Sequence, residues 1–109
     1  GTCIRDYIHV SDLAGIHYKI LKNITKTNRS TIVNCGYYKG TSVKEVVDEF
    51  KKQSKTIINI LYKRRREGDL AMVIANNKKL KKKIKWKPKY YRLSTIVRSC
   101  IDWEKIINS

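Results

Sequence analysis

The stretch Ile4-Arg5-Asp6-Tyr7-Ile8-His9-Val10-Ser11-Asp12 decides the fold class, because its hydrophobic period changes along its length. Up to Val10 the residues alternate as a strand does. Ile4, Asp6, Ile8 and Val10 share one face, and Arg5, Tyr7 and His9 share the other. From Ser11 the period becomes helical: Leu13, Ile16, His17, Ile20, Leu21 and Ile24 recur at three- and four-residue spacing. Ser11 is a good N-cap, and Asp12 suits the positive end of the helix dipole. A strand running directly into an amphipathic helix, followed by further strands and helices, makes the class α/β or α+β. The alternation also aims Arg5 and Tyr7 together at one side of the strand. His17 and His9 read as packed histidines, since no second ligand or nucleophile accompanies them.

The rest of the chain repeats the alternation. Thr31 to Cys35 is a short β-branched run, expected as a strand. Gly36-Tyr37-Tyr38-Lys39-Gly40 is a turn-rich connection without the G-x-G-x-x-G spacing of a dinucleotide-binding turn. Ser42-Val43-Lys44-Glu45 is a capping box, and Val43, Val46, Val47 and Phe50 form one face of a helix ending near Ser54. Thr56 to Tyr62 and Met72 to Ala75 read as extended. Asn77 opens a short helix with Leu80 and Ile84 inward and Lys78, Lys79, Lys81, Lys82 and Lys83 outward, and Trp86 covers its end. Pro88 forces a break. Leu93, Ile96, Val97, Cys100, Trp103 and Ile107 mark a last amphipathic helix. Strands separated by helices favour pairing that is parallel at least in part.

Between two of the extended runs lies Arg64-Arg65-Arg66-Glu67-Gly68-Asp69-Leu70. Arginine forks match phosphate oxygens bidentately. Gly68 permits φ > 0 and close approach of a ligand to the backbone. Asp69 can accept hydrogen bonds from sugar hydroxyls. The stretch is a physically sensible site for a sugar or nucleotide diphosphate. The competing reading is a solvated loop with an Arg–Glu surface pair.

The chain has 109 residues, one domain's length, and 41% hydrophobic residues, which argues against disorder. No apolar run approaches the roughly 18 residues of a membrane span. Cys3, Cys35 and Cys100 are far apart and odd in number, which fits reduced thiols in a cytoplasmic protein. The net charge of +16 raises nucleic-acid and anionic-ligand hypotheses together. Lysine abounds beside isoleucine and asparagine, so compositional bias accounts for much of that charge. Gly1 in place of methionine reads as a processed product or a fragment.

The series Gly1-Thr2, Arg5-Asp6-Tyr7-Ile8-His9-Val10, Ser11-Asp12-Leu13-Ala14, Asn34-Cys35-Gly36, Gly40, Ser42-Val43-Lys44-Glu45-Val46, Arg65-Arg66-Glu67-Gly68-Asp69, Trp86-Lys87-Pro88-Lys89-Tyr90 and Asp102-Trp103-Glu104 resembles the C-terminal part of UDP-glucose 4-epimerases. These belong to the extended short-chain dehydrogenase/reductase superfamily. The resemblance implies an α/β fold in which residues 1–109 are a single C-terminal substrate-binding segment. That segment would complete a nucleotide-binding fold and build the small UDP-sugar subdomain. Arg5 and Arg66 are implied contacts of the diphosphate, and Tyr7 and Asp69 implied neighbours of the nucleotide. Arg64 stands where the family usually has proline, and Tyr38 where it has glycine. If that turn requires φ > 0, Tyr38 is strained there or the turn is rebuilt.

The family's reaction interconverts UDP-glucose and UDP-galactose with NAD. It needs a G-x-x-G-x-x-G loop and a Tyr-x-x-x-Lys pair. Tyr18 and Lys22 have the second spacing, but they fall on an amphipathic helix and read as a chance match. The expectation is therefore a UDP-sugar-binding segment that is inactive alone and holds no NAD by itself. Its expected partners are an N-terminal NAD-binding half or a second copy, with no membrane. The alternative is a small basic nucleic-acid-binding module, with nucleic acid otherwise bound only non-specifically. A third reading is a remnant without function, or a subunit needing a separately made partner.

Overall fold

The computed structural model describes residues 2–108, so Gly1 of the first motif lies outside the described residues. The element order is β1 (Ile4–Arg5), α1 (Val10–Thr27), β2 (Thr41–Ser42), α2 (Val43–Ser54), β3 (Met72–Val73), α3 (Lys78–Lys83) and α4 (Leu93–Ile107). This is the expected α/β class. The sheet order is β2-β1-β3; β1 pairs antiparallel with β2 and parallel with β3. The partly parallel pairing thus lies at β1–β3, where the crossover from β1 carries α1 and α2.

The strands are shorter than their sequence runs suggest. β1 stops at Arg5 because Asp6 turns its carboxylate onto other backbone: Oδ1 accepts from Tyr37 N–H (3.1 Å), and Oδ2 from Tyr38 N–H (2.9 Å) and Ala75 N–H (3.2 Å). Helix α1 begins at Val10, not after Ser11. His9 is its N-cap, with Nδ1 accepting from Ser11 N–H at 2.9 Å. Thr31 to Cys35 and Thr56 to Tyr62 form no strand. β-propensity expresses a fit to a pleated, paired surface, and these runs have no ladder partner among the described residues.

The capping box is present in full: Glu45 N–H donates to Ser42 Oγ and Ser42 N–H to Glu45 Oε2. Asn77 opens α3, but its side chain donates instead to Gly36 O at 2.9 Å. The main core joins Ile16 of α1 to Leu80, Ile84 and Trp86, with Ile8, Ile20, Val33, Cys35 and Tyr37 packed against them. Leu80 is fully buried, so it and Ile16 each contribute about 1.5–3 kcal/mol by burial. Helices α2 and α4 pack as a second layer around buried Val97, tied by Gln53 Nε2 donating to Ser94 O. Cys100, Trp103 and Ile107, expected on an inward face, are exposed. His17 is exposed too, bonded to its own helix at Leu13 O, whereas His9 is buried. No described helix is long and apolar enough to cross a membrane.

Candidate functional site

The loop Lys63 to Asp69 folds back through a turn at Glu67-Gly68, where Gly68 takes φ +84°. Only glycine holds that angle without strain. The turn lets Asp69 N–H donate to Arg66 O (3.1 Å) and brings Arg66 Nε to Asp69 Oδ2 (3.3 Å). The Arg66 side chain is 88% exposed and that of Asp69 26%. An exposed pair of this kind adds little stability. Its effect is to steer a guanidinium whose remaining donors stay open.

Arg66 and Asp69 line a cavity of about 820 Å³. Its other walls are Thr2 and Cys3, the first turns of α2 at Val43, Lys44, Val47 and Asp48, and Ile60 to Arg65. The α2 amides facing this region are already engaged. Val43 N–H donates to Cys3 O, Lys44 N–H to Thr2 Oγ1 and Glu45 N–H to Ser42 Oγ. Recognition of an anion in this cavity therefore falls to side chains, chiefly the arginines, and Ile60, Leu61, Tyr62, Val43 and Val47 supply apolar wall.

Arg5 and Tyr7 do not line the cavity. Arg5 lies beside the loop all the same, donating through Nη1 to Leu70 O (3.0 Å) and Ile4 O (2.8 Å). Two of the four expected residues thus meet directly, Arg5 joins them one residue away through backbone, and Tyr7 is half-buried on the chain beyond β1. Arg64, part of the arginine stretch read from the sequence, lines the cavity as well, whereas Lys44 and Tyr62 are wall residues the sequence reading did not single out. The capping box held the signal for Lys44, since it fixes which residues form the first turn.

The perturbed acids lie elsewhere. Burial opposes ionisation of Asp12, but the Tyr37 hydroxyl and the Tyr90 and Lys89 amides outweigh it and hold the carboxyl below its ordinary range. Burial, reinforced by Asp12, pushes the Tyr37 phenol well up. Burial also raises the Cys35 thiol. None of these three groups lines the cavity. Tyr18 and Lys22 form a surface pair, with Lys22 Nζ 5.1 Å from the centre of the Tyr18 ring. Among the described residues no cluster could hold a metal ion.

A helix N-terminus can hold a dinucleotide pyrophosphate. The start of α1 is already occupied by buried His9 and by the Asp12 carboxylate, so this helix end does not fit one, and no step through NAD follows from these residues.

The chain matches the family model described as GDP-mannose 4,6 dehydratase over residues 1–100. The chain belongs to this family. It is 42% identical over 105 residues to a UDP-glucose 4-epimerase of Azospirillum brasilense, covering 96% of this chain and 30% of the relative. The UDP-Glc/GlcNAc 4-epimerase of Campylobacter jejuni is 41% identical, with TM-score 0.86 over 96% of this chain and 32% of that one. The UDP-glucose 4-epimerase of Stenotrophomonas maltophila, solved with NAD and formylated UDP-arabinopyranose, is 29% identical. Its TM-score is 0.89 over 98% of this chain and 32% of that one. The likeness is to the C-terminal portion of such epimerases, and the chain spans about 30% of the length of the curated relatives it matches.

Proposed function

We propose that residues 1–109 are the UDP-sugar-binding C-terminal segment of a UDP-glucose 4-epimerase-like enzyme. The whole enzyme would interconvert UDP-glucose and UDP-galactose with NAD, and this segment would be inactive alone. Arg66 and Arg5 would hold the diphosphate, with Asp69 and Tyr7 beside the nucleotide. The observation that carries this reading is the Arg66–Asp69 pair, steered across the Gly68 turn onto the rim of a cavity with basic and apolar walls. NAD would supply the hydride chemistry when bound. Its dinucleotide loop and the Tyr/Lys pair would come from outside these residues, in a cytoplasmic assembly with an N-terminal half or a second copy. The chain's own contribution is to bind and orient: guanidinium bonds to phosphate are worth about 1.5–3 kcal/mol each. Calorimetric titration with UDP, UDP-glucose and free glucose tests it. UDP and UDP-glucose are expected to bind and glucose not to; equal or absent binding of all three removes the reading.

A further inference from the structure

From Leu70 to Ile101 the sequence contains eight lysines and two arginines and no aspartate or glutamate. The fold gathers part of this charge with lysines some 60 residues away. Leu80 and Ile84 are buried, which turns the lysines of α3 outward. The C-terminal half of α1 lies alongside: Lys19 Nζ donates to Lys85 O and Asn23 Nδ2 to Lys83 O, each at 3.2 Å. Lys22 and Lys26 follow Lys19 at helical spacing on the same side of α1. The sole acid of α1, Asp12, is buried at its far end and engaged by Tyr37, Lys89 and Tyr90. Among the described residues the only ion pair is Arg66–Asp69, so no carboxylate neutralises this face. The lysines of α3 repel one another at three- and four-residue spacing. None of these lysines lines the arginine cavity.

We propose that this α1–α3 face docks the phosphate backbone of nucleic acid, without sequence preference and separately from the arginine cavity. Point-charge ammonium groups suit successive phosphates and read no base edge. The exposed Tyr18 ring beside Lys22 offers a stacking surface at the border of the face. A polyanion would also relieve the repulsion within α3, so binding stabilises the fold.

Fluorescence anisotropy of the full chain with a labelled mixed-sequence oligonucleotide, across a salt series, tests the proposal. Binding is expected near ~10⁻⁴–10⁻⁶ M at physiological salt and to weaken steeply as salt rises. The quadruple variant Lys19→Gln, Lys82→Gln, Lys83→Gln, Lys85→Gln should bind at least tenfold more weakly. Its log–log salt slope should be shallower by about one unit per lost phosphate contact. Circular dichroism and the unfolding midpoint confirm that it folds, and the conservative Lys→Arg set should restore binding. Arg66→Ala should bind the oligonucleotide within twofold of the parent chain. Unchanged affinity in the folded Gln variant overturns the proposal. Loss of binding in Arg66→Ala overturns it too, by moving the contact to the arginine loop. So does tighter association with vesicles of mixed phosphatidylcholine and phosphatidylserine than with the oligonucleotide at the same salt.

Discussion

The Tyr37 hydroxyl lies 2.7 Å from Asp12 Oδ2 and donates to it, while accepting from His9 N–H at 3.1 Å. The same carboxylate accepts from Lys89 and Tyr90 N–H at 3.1 and 2.9 Å. One buried aspartate thus fastens three distant pieces of chain: the start of α1, the turn at Gly36–Gly40 and the segment after Pro88. Around it the Tyr37 and Trp86 rings stack at 6.1 Å, and His9 and Tyr90 at 4.8 Å. Asp6 does the same for Tyr37, Tyr38 and Ala75. These two carboxylates set the turn and the β1–α1 junction against each other, and so hold the frame from which Arg5 reaches Leu70.

The Asp12 network makes stability depend on pH. Its pKa is lowered in the fold from an ordinary value of 3.8. The unfolded chain therefore binds the proton more readily, and ionisation favours folding. The contribution is complete above the unfolded value and is lost as pH falls through the folded one. Asp12→Asn should cost about 1–3 kcal/mol at neutral pH, because an amide cannot accept all of these bonds. The gap to the parent chain, followed by urea unfolding, should close as pH falls below about 4. An equal gap at pH 7 and pH 3 would assign the loss to packing instead.

A second prediction concerns Tyr38, which takes φ +59°. Its amide donates to Asp6 Oδ2 and its ring is half-exposed, so nothing about the side chain requires tyrosine. The left-handed region costs a non-glycine residue about 1–2 kcal/mol, partly offset by the greater unfolded entropy of glycine. Tyr38→Gly is expected to stabilise by about 1 kcal/mol, read as a higher unfolding midpoint. By contrast, Gly36→Ala should destabilise: its Cβ would sit 2.6 Å from Ala75 Cβ and 2.7 Å from Asp6 Oδ2.

What the sequence made legible was local. The Ser42–Glu45 capping box, the α3 and α4 spans and the Gly68 turn depend on neighbours within a few residues, and they stand as read. The doubtful angle at Tyr38 was legible from the family likeness. Asp6 was read as a strand-face residue and Asp12 as a dipole partner, because their donors lie 25 to 78 residues away. The apolar runs at Thr31 and Thr56 looked like strands because propensity does not report the absence of a ladder. The long-range pairing of Ile16 with Leu80 and Trp86 in the main core was not legible either, since it depends on the short α3 presenting its buried face to α1.

The arginine loop yields a third prediction, at the level of binding. Arg66→Ala should weaken UDP binding by about 1.5–3 kcal/mol if its phosphate bond is desolvated. Asp69→Asn keeps the turn, because the Asp69 N–H bond to Arg66 O is backbone only. It removes the charge that steers Arg66, and an exposed pair is worth under about 1 kcal/mol. UDP affinity should therefore fall less than fivefold in Asp69→Asn. Calorimetry that finds the two variants equally impaired would give Asp69 a direct ligand contact rather than a steering role.

The last prediction concerns what covers the outer side of α1. On α1, Val10 is 73% and Leu21 63% exposed, and Ile32 in the segment after the helix is 85% exposed. Large apolar groups exposed in this way mark a contact with another body. Matching chains are about three times as long, so that body is expected to be an NAD-binding half, or a second copy when none is supplied. The chain should then associate with rising concentration in sedimentation velocity. Leu21→Glu combined with Ile32→Glu should keep it monomeric, because an unpaired carboxylate is costly to bury. The N-terminal half of a related epimerase, added in trans, should slow amide exchange in α1 and in residues 28–35, and leave α4 unchanged. Ile16 already has its partners within the chain, so its amide should be slow with or without the addition, whereas the amides near Leu21 should respond. A chain that stays monomeric at every concentration, with exchange indifferent to the added half, would mean that these side chains are solvated in the working protein.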